Sequence, residues 1–120
     1  CRLQPAPDTT AIVSNIARTP AVELKRRIDA GETLCILDVR EPNEFAAEYV
    51  PQAVNIPLPQ LRARLSELPR DREINVICKA GLRGYYATRI LLQHGFNARV
   101  VTGGMLLIAQ IDPAAVRKTH

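Results

Sequence analysis

The sequence predicts an α/β fold, a doubly wound and mostly parallel sheet with helices on both faces. Three observations carry that expectation. Short continuous apolar runs alternate along the chain with segments of helical periodicity. The connections between them are short and marked by proline or glycine, as where strands feed crossover helices. The apolar residues are mainly Ile, Leu, Val and Ala, with three Tyr, two Phe and no Trp, which suits strands buried on both faces. A chain of 120 residues holds one such core and has no room for a second domain.

The elements follow in order. The first ten residues contain Pro5, Pro7, Asp8 and two threonines without periodicity and read as a linker or frayed end. The apolar stretch Ala11 to Ile16 then gives a short first strand. Pro20 opens a helix in which Val22, Leu24, Arg27 and Ile28 recur up to a stop at Gly31. Leu34 to Leu37 is too short for a helix between Gly31 and Pro42 and reads as a buried strand ending at Asp38. Pro42 suits a first helical position, with Glu44 in the first turn, where the free N–H groups favour a carboxylate. A brief strand over Ala53 to Ile56 precedes Leu58, Leu61, Leu65 and Leu68, whose spacing predicts a helix ending at Pro69. Ile74 to Ile77 gives another strand. A helix from Arg83 or Gly84 carries Ala87, Ile90 and Leu91 on one face to a stop at Gly95, and Ala98 to Val101 closes the series. There is no internal repeat.

Charge and cysteine usage narrow the function. The net charge is +4, but the basic residues are scattered and not interleaved with aromatics, so no nucleic-acid surface is expected. The run Lys25-Arg26-Arg27 sits beside Glu23 and Asp29 as a solvated helix face. Three cysteines without a C-x-x-C pair argue against a disulfide framework or a structural zinc site and for a reducing compartment. No apolar run has the length of a membrane span, and the first fifteen residues lack the arrangement of a signal peptide. The expected location is cytoplasmic, without membrane partners. A start at Cys1 instead of Met points to a cut chain; a processed lipoprotein is the alternative.

The chemistry concentrates in Cys78-Lys79-Ala80-Gly81-Leu82-Arg83-Gly84. In open α/β sheets, reactive groups collect where the carboxyl ends of strands lead into helix N-termini, and Cys78 stands at such a junction. Backbone N–H groups of the loop and the dipole of the following helix favour a thiolate or a bound anion there. Gly81 and Gly84 permit positive φ angles and close backbone approach. Arg83, with Lys79 at the rim, adds positive charge that favours the ionised sulfur. A buried structural thiol would not need these neighbours, so Cys78 is the expected nucleophile. Cys35, inside an apolar strand, reads as core.

Beyond this reading, Asp38-Val39-Arg40-Glu41-Pro42-Asn43-Glu44-Phe45, Val50-Pro51-Gln52-Ala53-Val54-Asn55-Ile56-Pro57-Leu58, Cys78 through Arg83, and Gly103-Gly104 resemble the rhodanese homology domain in order and spacing. The resemblance runs from about Thr19 to Met105. It implies a five-stranded, mostly parallel sheet with helices on both faces, and a sulfurtransferase in which Cys78 takes sulfane sulfur as a persulfide. The donor would be thiosulfate or a persulfide and the acceptor cyanide or a thiol. Four residues separate Cys78 from Arg83; related cysteine phosphatases use a loop one residue longer, so the cradle suits a terminal sulfur better than phosphate. On this reading residues 1–17 are a linker or flexible segment with the short first strand, 18–112 the domain and 113–120 a tail.

Gly81 to Tyr85, with Ala87, Arg89-Ile90-Leu91 and Gly95-Phe96, is similar more narrowly to rhodanese domains fused to flavin-dependent coenzyme A-disulfide reductases and NAD(P)H sulfur reductases. This implies a flavoprotein disulfide reductase partner in the same polypeptide, to which FAD and coenzyme A would belong. No cofactor and no metal is expected in this domain. Two departures stand out: Glu48-Tyr49-Val50-Pro51-Gln52 replaces the usual Gly-His-Ile-Pro-Gly, and no Trp follows Gly103-Gly104, leaving Met105 and Leu106 as packing substitutes. The altered segment supports an alternative, a catalytically weak docking or redox-sensing module. Asp38 and Arg40 are expected mainly as scaffold that could also orient the loop. His94, on the Ala87 face and far along the helix from Cys78, is not a base for it, and His120 reads as a terminus.

Overall fold

The computed structural model describes residues 16–79, 82–111 and 117–118. Their elements are β1 (Arg18–Pro20), α1 (Ala21–Asp29), β2 (Cys35–Asp38), α2 (Pro42–Ala47), β3 (Glu48–Tyr49), β4 (Ala53–Asn55), two 3₁₀ turns (Leu58–Gln60 and Arg62–Glu67), β5 (Glu73–Ile77), α3 (Arg83–Gln93), β6 (Asn97–Thr102), α4 (Gly104–Ile111) and β7 (Arg117–Lys118). Five strands form one sheet in the order β1-β6-β5-β2-β4, and every pairing in it is parallel. The α/β class and the five-stranded sheet are as expected.

The apolar runs are continuous because both faces of the sheet are covered. Leu37, Ile74 and Val76 point to one face and pack with Ala87, Ile90 and Leu91 of α3 and with Leu61 and Leu68. Ile36, Ile77 and Val101 point to the other and pack with Ala21 and Leu24 of α1 and Met105 and Ile108 of α4. Between β1, β5 and β6 the buried Thr19 hydroxyl donates to the Asn75 carbonyl oxygen at 3.2 Å and accepts from Arg99 Nε at 3.1 Å. Among the described residues no buried side-chain polar atom lacks a partner, as close packing of polar groups requires.

Several elements differ from the sequence expectation. The first strand is Arg18–Pro20, whereas Ala11 to Val13 and the rest of residues 1–15 lie outside the described residues. In α1 the buried face is Ala21 and Leu24 with Ile28 beside them, while Val22 is 60% exposed. The leucine-spaced segment is not α-helical. Pro59 has no amide to donate, and the bonds Gln60 to Pro57, Leu61 to Leu58, Arg64 to Leu61 and Leu68 to Leu65 each span three residues. At Arg64 the backbone leaves the helical region altogether, at φ −118°. Three elements were not anticipated: α4, β3, and β7, which pairs antiparallel with β3 from within the segment expected as a tail.

The start of α4 is fitted against the end of β5. Gly103 and Gly104 have φ of 83° and 55°. A Cβ on Gly104 would lie 2.3 Å from the Cys78 carbonyl oxygen and 2.6 Å from that of Lys79, so no side chain fits there. Gly31, by contrast, has φ 81° with nothing within 4 Å of a Cβ. Gly31→Ala should therefore cost only the left-handed backbone penalty, about 1 kcal/mol. Gly104→Ala adds a collision with backbone and should cost more than about 3 kcal/mol. Urea unfolding of the two variants checks this; equal losses would remove the steric account.

Candidate active site

Cys78 follows directly from β5, the central strand, at the carboxyl edge of the parallel sheet. Its side chain continues the alternation of Ile74 and Val76 and turns to the α3 side, where it is 4% exposed and joins the core cluster. Gly84, in the first turn of α3, closes on it. A Cβ at Gly84 would sit 3.4 Å from Cys78 Sγ and 3.1 Å from Val100 Cγ2. The value of Gly84 is close approach alone, since its φ is not positive, in contrast to the sequence expectation. Leu82 stands at the N-cap of α3 and provides no side-chain cap. The first N–H groups of the helix are thus not taken up by a capping side chain, an arrangement that favours an anion.

Ala80 and Gly81, expected in the loop that cradles the sulfur, lie outside the described residues. The loop's ends are both held. On the strand side the Met105 amide donates to the Cys78 carbonyl oxygen at 2.7 Å, which ties the backbone of Cys78 to α4. Lys79 is exposed, as a residue at the rim should be. On the helix side Arg83 does not stand alone: its Nη1 and Nη2 donate to Glu44 Oε1 and Oε2 at 2.8 and 3.2 Å.

Glu44 is the functional neighbour that sequence reasoning read only as a helix-start residue. It does serve that purpose, accepting from the Glu41 amide at 2.9 Å in a reciprocal capping box. The same carboxylate also fixes Arg83. The Arg83 hydrogen bonds, opposed by burial and aided by the Glu41 amide, bring the Glu44 carboxyl down to about 2. Arg83 is raised in turn, first by the bond to Glu44, against burial, and then by the negative charges of Glu44, Cys78 and Glu41. Glu44 is the partner that holds the guanidinium.

Asp38 and Arg40, 0% and 3% exposed, bind each other. Arg40 Nε lies 3.0 Å from both carboxylate oxygens, Nη2 is 2.7 Å from Oδ2, and the Arg40 amide donates to Oδ1 at 3.0 Å. Arg40 Nη2 also donates to the Glu48 carbonyl oxygen at 2.7 Å, and the Asn55 amide bridges the Asp38 and Arg40 carbonyls at 3.0 Å each. This clamp shapes the β2–α2 turn and the start of β3. Through the Val39 amide, which donates to the Ile77 carbonyl at 3.0 Å, that turn abuts the strand carrying Cys78.

The remaining candidates separate clearly. Cys35 is half-buried beside the core, and burial pushes its thiol up against the opposing charge of Arg72, which suits an inert sulfur. His94 is exposed at the end of α3 and not on its buried face; its carbonyl accepts from Arg70. Within the altered Glu48 to Gln52 segment, Tyr49 pairs with Phe45 at 5.2 Å between ring centroids and Val50 is buried. Met105 fills the core after Gly104, 1% exposed, whereas the Leu106 side chain is not among those described. Among the described residues no group of His, Cys, Asp or Glu is arranged to hold a metal ion.

A parallel sheet that ends its central strand in a cysteine, with that cysteine packed under the N-terminus of a crossover helix, defines a class of thiol-bearing α/β domains. Residues 20–110 match the Rhodanese-like domain family, and the chain belongs to it. It is 37% identical over 83 residues to the Bacillus subtilis protein YtwF, covering 69% of this chain and 81% of that one. It is 34% identical over 89 residues to a protein of Allochromatium vinosum named "Sulfurtransferase", covering 72% and 82%. The crystal structure of reduced Bacillus anthracis CoADR-RHD superposes with a TM-score of 0.77 at 33% identity, over 97% of this chain but 23% of that chain.

Two predictions follow from the ion pairs. Asp38→Ala leaves Arg40 buried without its counter-charge and should cost about 3–5 kcal/mol in urea unfolding, most of it regained when Arg40→Met accompanies Asp38→Leu; an unaffected Asp38→Ala protein would refute the clamp. Glu44 has a folded value near 2 against an ordinary 4.5. Its contribution should be fully present above 4.5 and fade as pH falls towards 2, where the unfolded chain takes up a proton first. Glu44→Gln should flatten that acid limb of the stability profile, and an unchanged limb would place the titrating carboxylate elsewhere.

Proposed function

We propose that the domain is a sulfurtransferase in which Cys78 carries sulfane sulfur. The observation that supports this most is the position of Cys78 Sγ at the end of β5, under an α3 N-terminus without a side-chain cap. The name of the Allochromatium vinosum relative is in keeping with the reading. The Cys78 thiolate attacks the outer sulfur of a donor such as thiosulfate. A bond forms from Sγ to that sulfur, its bond to the sulfonate sulfur breaks, and sulfite leaves with the electron pair. The resulting persulfide is an anion, which the helix N-terminus and the Lys79 and Arg83 side of the loop favour. A thiolate or cyanide then attacks the terminal sulfur, and Cys78 departs as the thiolate that began the cycle. Loop residues Ala80, Gly81 and Leu82 would complete the cradle.

The reading extends to a larger assembly. The CoADR-RHD chain is about four times the length that this domain accounts for, which fits one module of a flavin-dependent disulfide or sulfur reductase. FAD and coenzyme A would then belong to the reductase part, and Cys78 would exchange sulfur with its thiol substrates. Asp38 and Arg40 support the site from the neighbouring strand without touching substrate.

Incubation with thiosulfate should add one sulfur atom by intact mass, removed again by cyanide, and Cys78→Ser should abolish the adduct. Turnover should follow ping-pong kinetics, with a parallel dependence on donor and acceptor. A chain that forms no adduct would be the docking or sensing module instead, and an adduct that persists in Cys78→Ser would move the chemistry to another residue.

A further inference from the structure

On the flank of α3, where it meets the Leu58–Gln60 and Arg62–Glu67 turns, lies a groove of about 690 Å³, within the range of small-ligand sites. The apolar Leu58, Pro59 and Ile90 line it together with Tyr86, Gln93 and two arginines, Arg62 and Arg89. Tyr86 is 41% exposed, so its ring is available to a ligand. None of these residues belongs to the Cys78 to Gly84 loop, and the proposed sulfur transfer uses none of them.

The two arginines differ from the basic residues that carboxylates hold. Lys25, Arg26, Arg27, Arg40, Arg64 and Arg83 are each paired with a carboxylate. Arg64, two positions from Arg62, is held by Glu67 and also donates to Gln60. Arg62 and Arg89 have no carboxylate partner among the described residues. Two like charges sharing one groove repel each other unless an anion lies between them. Guanidinium forks match phosphate oxygens in pairs, and an exposed tyrosine beside them offers a face for a flat ring.

We propose that this groove binds a ring-bearing organic phosphate, with the phosphate between Arg62 and Arg89 and the ring against Tyr86. A mononucleotide is the simplest common ligand of this chemistry. An acidic peptide would also meet the arginines, but it would have no use for the tyrosine face or the apolar lining.

Nuclear magnetic resonance titrations of the chain with adenosine monophosphate, adenosine, inorganic phosphate and an acidic peptide test the proposal. Adenosine monophosphate should shift the resonances of Tyr86, Arg89 and Ile90, and should bind at least about tenfold more tightly than phosphate or adenosine alone. The double variant Arg62→Gln with Arg89→Gln should weaken it by about tenfold or more, and Tyr86→Ala by a few-fold, with thermal melts showing both variants folded. Absence of shifts in the groove would overturn the proposal. So would equal binding by the folded double variant, or a response to the acidic peptide in place of the nucleotide. Because the readout is binding, it does not depend on whether Cys78 transfers sulfur.

Discussion

The arrangement depends on how closely three backbone segments meet at Cys78. Its carbonyl oxygen accepts the Met105 amide at 2.7 Å, while Gly104 approaches so near that any Cβ would overlap that same oxygen. On the other side Gly84 leaves Sγ just enough room beneath the first turn of α3. The thiol is therefore fixed at its main chain by α4 and limited at its side chain by α3. Both places hold a residue without a side chain, Gly104 against backbone and Gly84 where a Cβ would crowd Val100 and touch Sγ.

Charge around this junction is divided between two carboxylate–arginine pairs with different tasks. Asp38 and Arg40 are buried and satisfied many times over, by each other and by the carbonyls and amides of the β2–α2 turn. Such a pair contributes shape more than net stability, because desolvation offsets most of its attraction. Glu44 and Arg83 are partly exposed and join α2 to the start of α3. Their pairing restrains Arg83 without neutralising the helix end beneath it. On the proposed reading, an anion arriving at Cys78 would meet a guanidinium already held by Glu44 and the uncapped N–H groups of the helix, so little reorganisation would be needed.

Much of this was legible in the sequence because the controlling signals were local. Apolar runs bounded by proline and glycine revealed β2, β4, β5 and β6, and the Cys78 loop announced itself by its neighbours. What escaped had nonlocal causes. Nothing near Glu44 says that Arg83, thirty-nine positions away, will share its carboxylate with the helix cap. The leucine spacing after Pro57 fits an α-helix, yet Pro59 and the short span select i to i+3 bonding. The pairing of β7 with β3 joins segments of two residues each, too short for any periodicity. Helix α4 is apolar almost throughout and begins at Gly104 directly after Gly103, so its pattern does not distinguish it from a strand or loop.

The burial of Cys78 bears directly on what it could carry. At 4% exposure, in contact with the core on one side, Sγ has little free surface. A bulky group added there would press on Gly84 and the first turn of α3, a regular, well-packed element. On the proposed reading the added group is a single sulfur atom, which would extend the side chain and move the negative charge outward, towards the rim of the loop. The charge on a persulfide would then sit further from the apolar core, and the acceptor would meet a terminal atom it can reach.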